Sequence, residues 1–310
     1  MRLIRLLPYA GVLALVLALL PAVAAPAAHA APKVKVGIAD NKADMFNDPR
    51  FSALAIKYAR VMVPYDAMHD YAQRTWLDGW MAGAKEANVR PLVTFTRSNK
   101  RTSHNPSAAQ MAASLRDVRK RYPWVTEFAT WNEANINKQP HTVARWWLAM
   151  KKQCPKCTIL GADLLDRGNV GTWAKRFVQA AHKAPVTWGL HNYVDANRLT
   201  TSGTRKLLAA VKGNIWFTET GGVVKRNNGS TVAFPASASR AATVTKFVFD
   251  KLAKLSPRVQ RVYLYHWNTG VRAEKGSHTW DSGLIGPDDQ PRPALAVLET
   301  ILGKPVVKSG

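Results

Sequence analysis

From residue 34 onward the chain alternates between two hydrophobic periods. Short apolar or β-branched runs recur at Val34–Ala39, Arg60–Pro64, Arg90–Phe95, Trp124–Trp131, Thr158–Ala162, Val186–Leu190, Asn214–Thr218 and Val259–Trp267. Their composition and length predict strands. Between them apolar residues return every three or four positions. Leu77, Trp80, Met81, Ala84 and Ala87 form one such stripe; Met111, Leu115, Val118 and Tyr122 form another, and Val244, Phe247, Val248, Leu252 and Leu255 a third. That spacing puts each set on one face of a helix. Trp146–Met150, Trp173–Ala181, Leu207–Val211 and Pro293–Leu302 predict further helices, and a short one is expected near Phe51–Ile56. Strands that alternate with helices build βαβ units around a parallel sheet. Eight such pairs predict an α/β fold, a (β/α)8 TIM barrel forming a single domain over residues 31–310. An open doubly wound sheet is the alternative. That fold carries a glycine-rich turn after its first strand, where this chain reads GIADNKADMF.

The first thirty residues break the alternation. Arg2 and Arg5 precede an apolar run from Ala10 to Leu20, Pro21 ends it, and Ala28-His29-Ala30 follows. A basic start, an apolar run too short to span a bilayer and a small-x-small site make a secretory signal peptide. Residues 1–30 are therefore expected to be removed, leaving a secreted, extracellular chain with no membrane span.

Charge narrows the partners. The chain holds 44 Lys+Arg against 20 Asp+Glu, a formal net charge of +24. So large an excess suggests an anionic partner, whether nucleic acid, anionic lipid, an acidic glycan or an anionic cell-wall polymer, or simply a solvated basic surface on an exported protein. The cations are scattered, the densest groups being Arg97–Arg101, Arg116–Arg121 and Lys151–Lys156. No zinc-finger spacing, RNA-binding signature or basic heptad array is present, so no specific nucleic-acid partner is expected. No cofactor motif occurs either, nor a compact His/Asp/Glu set with metal-ligand spacing around His266 and His278. A monomer is expected.

Six glutamates remain as candidate chemistry. Glu86 and Glu299 fall in helices, Glu274 in a loop, and Glu127 near the start of a strand. Glu133 and Glu219 follow or close the fourth and seventh strands, where a TIM barrel places its active site. Strands four and seven face one another across the mouth, so the two side chains can converge. Paired carboxylates suit glycoside hydrolysis: one protonates the departing oxygen while the other attacks the anomeric carbon or activates water. Mutual repulsion is expected to raise one pKa and keep that carboxyl protonated.

The surrounding residues carry a resemblance. Asn132-Glu133 after strand four and Glu219 after strand seven resemble the signature of glycoside hydrolase clan A, the retaining TIM-barrel glycosidases. ARVMVP (Ala59–Pro64), LHNYV (Leu190–Val194), YHWN (Tyr265–Asn268) and SGLIGPDDQPRPAL (Ser282–Leu295) resemble that clan's second, sixth and eighth strands and the approach to its last helix. The likeness runs from about residue 34 to 303. Where the clan often has Pro after the acid/base, this chain has Ala134, which leaves the family within the clan unassigned. The resemblance implies Glu133 as acid/base, Glu219 as nucleophile, Arg60 and Tyr193 as supports for the nucleophile, and His191 beside the reacting sugar. It further implies Asn132 on the neighbouring sugar hydroxyl and Trp267 as the floor of the site. The implied substrate is a β-linked polysaccharide or oligosaccharide. Two other readings stay open: a carbohydrate- or wall-binding barrel without turnover, and a nucleic-acid or polyanion binder driven by the net charge.

Cys154-Pro-Lys-Cys157 is expected to form a local disulfide in an exported chain. Asn228-Gly229-Ser230 reads as a tight turn. Trp131 and Trp280 are further flat faces for a sugar, and Asp163 and Asp166 end the fifth strand without an assigned role.

Overall fold

A computed structural model describes residues 34–227, 234–270 and 279–306. The signal segment, Glu274, His278 and the Asn228 turn lie outside the described residues.

The predicted barrel is present. Its strands are β1 (Lys35–Ala39), β2 (Tyr58–Pro64), β3 (Arg90–Thr96), β4 (Glu127–Ala129), β5 (Thr158–Leu160), β6 (Asp163–Leu165), β7 (Thr187–His191), β8 (Asn214–Thr220) and β10 (Val259–Tyr265). All neighbours pair in parallel, in the order β5-β4-β3-β2-β1-β10-β8-β7-β6. The nine segments make eight staves, because β5 and β6 are two halves of one. The first half pairs with β4 and the second with β7. At the break, Gly161 N–H donates to the Thr187 carbonyl and Asp163 N–H to the Trp131 carbonyl, which links the ends of the sheet.

Helices α2 (Tyr71–Glu86), α3 (Ala108–Arg121), α5 (Pro140–Gln153), α6 (Val170–Ala181), α8 (Ser202–Ala210), α9 (Ala238–Phe247) and α10 (Pro293–Ile301) follow the strands. Their starts obey local chemistry. The Asp70 carboxylate accepts from Gln73 N–H at the head of α2, and Ser107 with Gln110 forms a capping box at α3. Each satisfies backbone donors that the first turn leaves unpaired. Leu77, Trp80, Met81 and Ala84 turn the buried face of α2 to the core, as the stripe predicts. The expected helix near Phe51 is α1 (Pro49–Leu54), with Asp48 capping it. Short helices α4 (Ala134–Asn137) and α7 (Tyr193–Arg198) sit in the loops at the carboxyl ends of the strands. A two-stranded antiparallel ribbon, β9 (Lys225–Asn227) with β11 (Thr279–Asp281), lies over the same end. No helix among the described residues is long and apolar enough to cross a membrane.

The barrel interior is layered. Near the amino ends of the strands, Arg261 pairs with Glu127 through Nη1 to Oε2 at 2.5 Å and Nη2 to Oε1 at 2.9 Å. The guanidinium lies 3.7 Å from the Trp216 ring centre and 4.2 Å from that of Tyr58. Glu127 is thus spent at the floor of the barrel, well below the mouth. Ala39, Leu92, Ala129, Leu160, Trp216 and Tyr263 pack as an apolar cluster of their own. The polar cluster described next includes inward residues nearer the strands' carboxyl ends.

Candidate active site

Strand alternation selects the residues of this cluster. On β2, Tyr58, Arg60 and Met62 share one face, while Ala59, Val61 and Val63 are buried on the other. Thr94 follows Leu92 on β3, and Asp163 opens β6. Gly189 and His191 share a face of β7. On β8 the alternation breaks. Register shifts against both neighbouring strands allow Thr218 and Glu219, consecutive residues, to reach the same cluster. A bulge re-aims a side chain in this way.

Arg60 ties the cluster together. Its Nη1 donates to Glu219 Oε2 at 2.8 Å and its Nη2 to Asn132 Oδ1 at 2.7 Å. Nη2 also donates to Asp163 Oδ2 at 2.8 Å, and Nε to Thr94 Oγ1 at 3.0 Å. Thr94 and Thr218 hydroxyls donate to the Asp163 carboxylate at 3.0 and 2.9 Å. The Tyr193 hydroxyl donates to Glu219 Oε1 at 3.0 Å. Glu219 therefore has a donor on each oxygen, which fixes its plane.

His191 stands between the two glutamates. Its Nδ1 is 3.2 Å from Glu133 Oε1 and 3.6 Å from Glu219 Oε2, and its Nε2 is 3.6 Å from Asp163 Oδ2. Glu133 reaches this position through a left-handed backbone at φ 45°, from which α4 begins. A non-glycine residue there carries local strain that the surrounding fold must hold. The Glu133 side chain keeps 26% of its surface exposed and that of Glu219 11%, so both face the cleft.

Electrostatics place the proton. Burial pushes the His191 pKa down, but Glu219, Asp163 and Glu133 more than reverse this and lift it to about 9. Burial raises the Asp163 pKa, but Arg60 and His191 hold it well below the carboxylate range. Glu133 behaves alike: burial raises it, while the His191 hydrogen bond and charge bring it below its ordinary value. The expectation that repulsion between the glutamates keeps the acid protonated is thus corrected. An imidazolium lies within reach of both carboxylates and takes the proton. The Tyr193 phenol, pushed well up by burial and by Glu219, stays a donor.

The cluster opens into a cleft with two lobes. One, of about 760 Å³, is lined by Trp76, Arg97, Trp131, Asn132, Glu133 and Lys138 among others. The other, of about 300 Å³, includes Glu133, Tyr193, Glu219, Arg226, Tyr265 and Trp280. Trp131 and Trp280 thus present surface to the cleft. Trp267 does not, and its expected place as the floor is corrected. It is 0% exposed, its indole N–H donates to Asp48 at 2.9 Å, and its ring meets Phe51 edge-on. The strand ends at Tyr265, and it is Tyr265 that lines the cleft.

No protein-family model matches the chain, and no curated protein matches its sequence. Solved structures do match its shape. Native xylanase 10B from Thermotoga maritima superposes with a TM-score of 0.61 at 12% identity, covering 87% of this chain and 95% of that one. A glucosidase from Croceicoccus marinus gives 0.62 at 11% identity, over 91% and 69%. A GH5_18 protein from Bifidobacterium longum subsp. infantis gives 0.61 at 11%, over 89% and 80%. The fold is that of TIM-barrel glycosidases.

Within this barrel, Asp163 is the residue that sequence reasoning left without a role. It anchors Arg60 from beneath and is fully buried. Gly189 makes room for it: a Cβ there would run into the Asp163 carboxylate and the Thr218 hydroxyl. Asp166 serves a different end, accepting from Val194 and Asp195 N–H at the head of α7. Burial lifts its pKa to about 7. Cys154 and Cys157 are joined by a disulfide between the end of α5 and the start of β5. His266 is buried, and burial lowers its pKa to about 4. No group of three His, Cys, Asp or Glu that could hold a metal ion occurs among the described residues.

Proposed function

We propose that the protein is an exported, retaining glycoside hydrolase acting on a β-linked polysaccharide or oligosaccharide. The observation that carries this reading is a single imidazole touching both glutamates, 3.2 Å from one and 3.6 Å from the other. The two carboxylate oxygens are no further apart than those distances laid end to end. That upper bound admits the ~5–5.5 Å separation of retaining sites.

In the first step Glu219 attacks the anomeric carbon. The glycosidic bond breaks, its electrons stay on the departing oxygen, and Glu133 delivers a proton to that oxygen. In the second, Glu133 takes a proton from water. The resulting hydroxide displaces Glu219 from the sugar, restoring both carboxyl groups. Arg60 and Tyr193 keep Glu219 aimed, and Asn132, itself held by Arg60, faces the sugar hydroxyl nearest the reacting carbon. The proton for the first step is shared by His191 and Glu133. It rests on the imidazole and passes 3.2 Å to Glu133 Oε1 as the substrate oxygen docks.

A pH dependence follows. Below about pH 9 the His191–Glu133 pair holds one proton; as pH rises through about 9 it is lost. The acid step then has no donor, so activity falls on the alkaline side. Stability changes with the same sign. The raised His191 pKa contributes fully below the ordinary ~6.5 and is lost towards pH 9. The test is to incubate the secreted protein, whose N-terminus is expected at Ala31, with a panel of β-glycans from pH 5 to 10. Hydrolysis with an alkaline limb near pH 9 is expected. No hydrolysis of any glycan would favour the binding-barrel reading.

A further inference from the structure

The cleft carries positive charge that the two chemical steps do not use. Among the residues lining the larger lobe, Glu133 is the one acid, against the cations Lys42, Arg97 and Lys138. Lys42 is balanced by Asp40 at 2.7 Å. Arg97 and Lys138 are not balanced: no acidic side chain among the described residues forms an ion pair with either. The smaller lobe is evenly matched, with the acids Glu133 and Glu219 and the cations Arg167 and Arg226.

Lys138 is also built in place. It follows α4, directly after the Glu133 turn. Its ammonium donates to Asn105 Oδ1 at 2.6 Å and lies 5.3 Å from the centre of the Trp131 ring. Burial, and then the charge of Arg97, pull its pKa below the usual lysine range. Two neighbouring cations on the wall of a concave site repel one another, and an anion between them relieves that repulsion. Trp131, buried against Trp146, backs the ammonium and holds it at the cleft wall. Across the smaller lobe the Arg226 guanidinium lies 4.7 Å from the Phe234 ring centre and 5.3 Å from that of Trp280, so a cation meets an aromatic wall there too.

Building on the hydrolase reading, we propose that Arg97 and Lys138 form a subsite for an anionic sugar unit. The natural substrate is then a β-glycan bearing carboxylate or sulfate groups rather than a neutral chain. The anion sits on the Trp131 side of Glu133 and docks the chain beside the carboxylate pair. The scattered surface charge of the protein adds long-range attraction for such a polymer.

Binding tests this without turnover, so it remains readable if the protein hydrolyses nothing. Titration calorimetry would use the Glu219→Gln variant at low salt with three probes. These are a β-1,4-linked tetraglucuronate, its carboxyl-reduced neutral counterpart, and O-sulfated cellotetraose. Tighter binding of at least one charged probe than of the neutral one is expected, about tenfold or more, the scale of one or two charge-assisted contacts. Tetraglucuronate leading assigns a carboxylate, and the sulfated probe leading assigns a sulfate. Adding Arg97→Gln and Lys138→Gln should shrink the charged-to-neutral affinity ratio towards one. Equal binding of all three probes overturns the subsite, and so does a ratio unchanged in the triple variant. Hydrolysis of the glycan panel by the unaltered enzyme separately reports whether the catalytic reading stands.

Discussion

Replacing Glu219 with alanine is expected to lower glycoside hydrolysis by on the order of 10⁴-fold or more, the scale seen when a member of a covalent catalytic unit is removed. The reason is local. Of the two cleft glutamates, Glu219 is the one with a donor on each oxygen, Arg60 at 2.8 Å and Tyr193 at 3.0 Å. Those donors keep it aimed, which a nucleophile requires. Glu133 should respond differently. Glu133→Ala removes the proton donor and costs roughly 10²–10⁴-fold on substrates with poor leaving groups. The loss should be much smaller on activated aryl glycosides, whose leaving group departs without a proton. Steady-state kinetics on a dinitrophenyl glycoside and on an oligosaccharide separate the two roles. Equal losses for both variants on both substrates would contradict them.

Asp163→Ala is expected to be the most damaging change to stability. Asp163 is fully buried and accepts from Arg60, Thr94 and Thr218, with His191 Nε2 at 3.6 Å. Its removal leaves the Arg60 guanidinium, also buried, without its deepest counter-charge. Breaking one side of a buried pair costs about 3–5 kcal/mol, because the stranded charge has no water to turn to. Denaturant unfolding should show the midpoint falling with the slope unchanged. A loss below ~1 kcal/mol would mean that Glu219 alone holds Arg60. Activity should fall as well, since the same guanidinium orients Glu219 and Asn132.

Much of the fold was legible because a parallel barrel writes its strands as short apolar runs and its helices as stripes on one face. The places where the sequence misled have physical causes. The fifth stave continues to Leu165, but the charged Asp163 interrupts its apolar run, so Thr158–Ala162 looked complete. The strand over Trp124–Trp131 has regular pairing only over Glu127–Ala129. Glu133 and Glu219 were legible by position, as acids at opposite staves. Strict alternation would nonetheless send Glu219 outward if Thr218 points in; the register shift in β8 is invisible in the sequence. Asp163 was missed because its meaning lies in four other strands. The one linear clue was Gly189 within TWGLH, since a glycine inside a strand often marks a close approach. Trp267 was misplaced because a motif gives a residue's order along the chain and not where its side chain points. Here that side chain turns back to Phe51 and Asp48.

The central claim is that Glu133 and Glu219 act on one sugar from opposite sides in two displacements. The most direct measurement is proton NMR of the first product released from a β-glycan, recorded before the anomers equilibrate. The account predicts a β-configured reducing end. An α-configured first product would contradict it, because a single displacement by water would then have occurred.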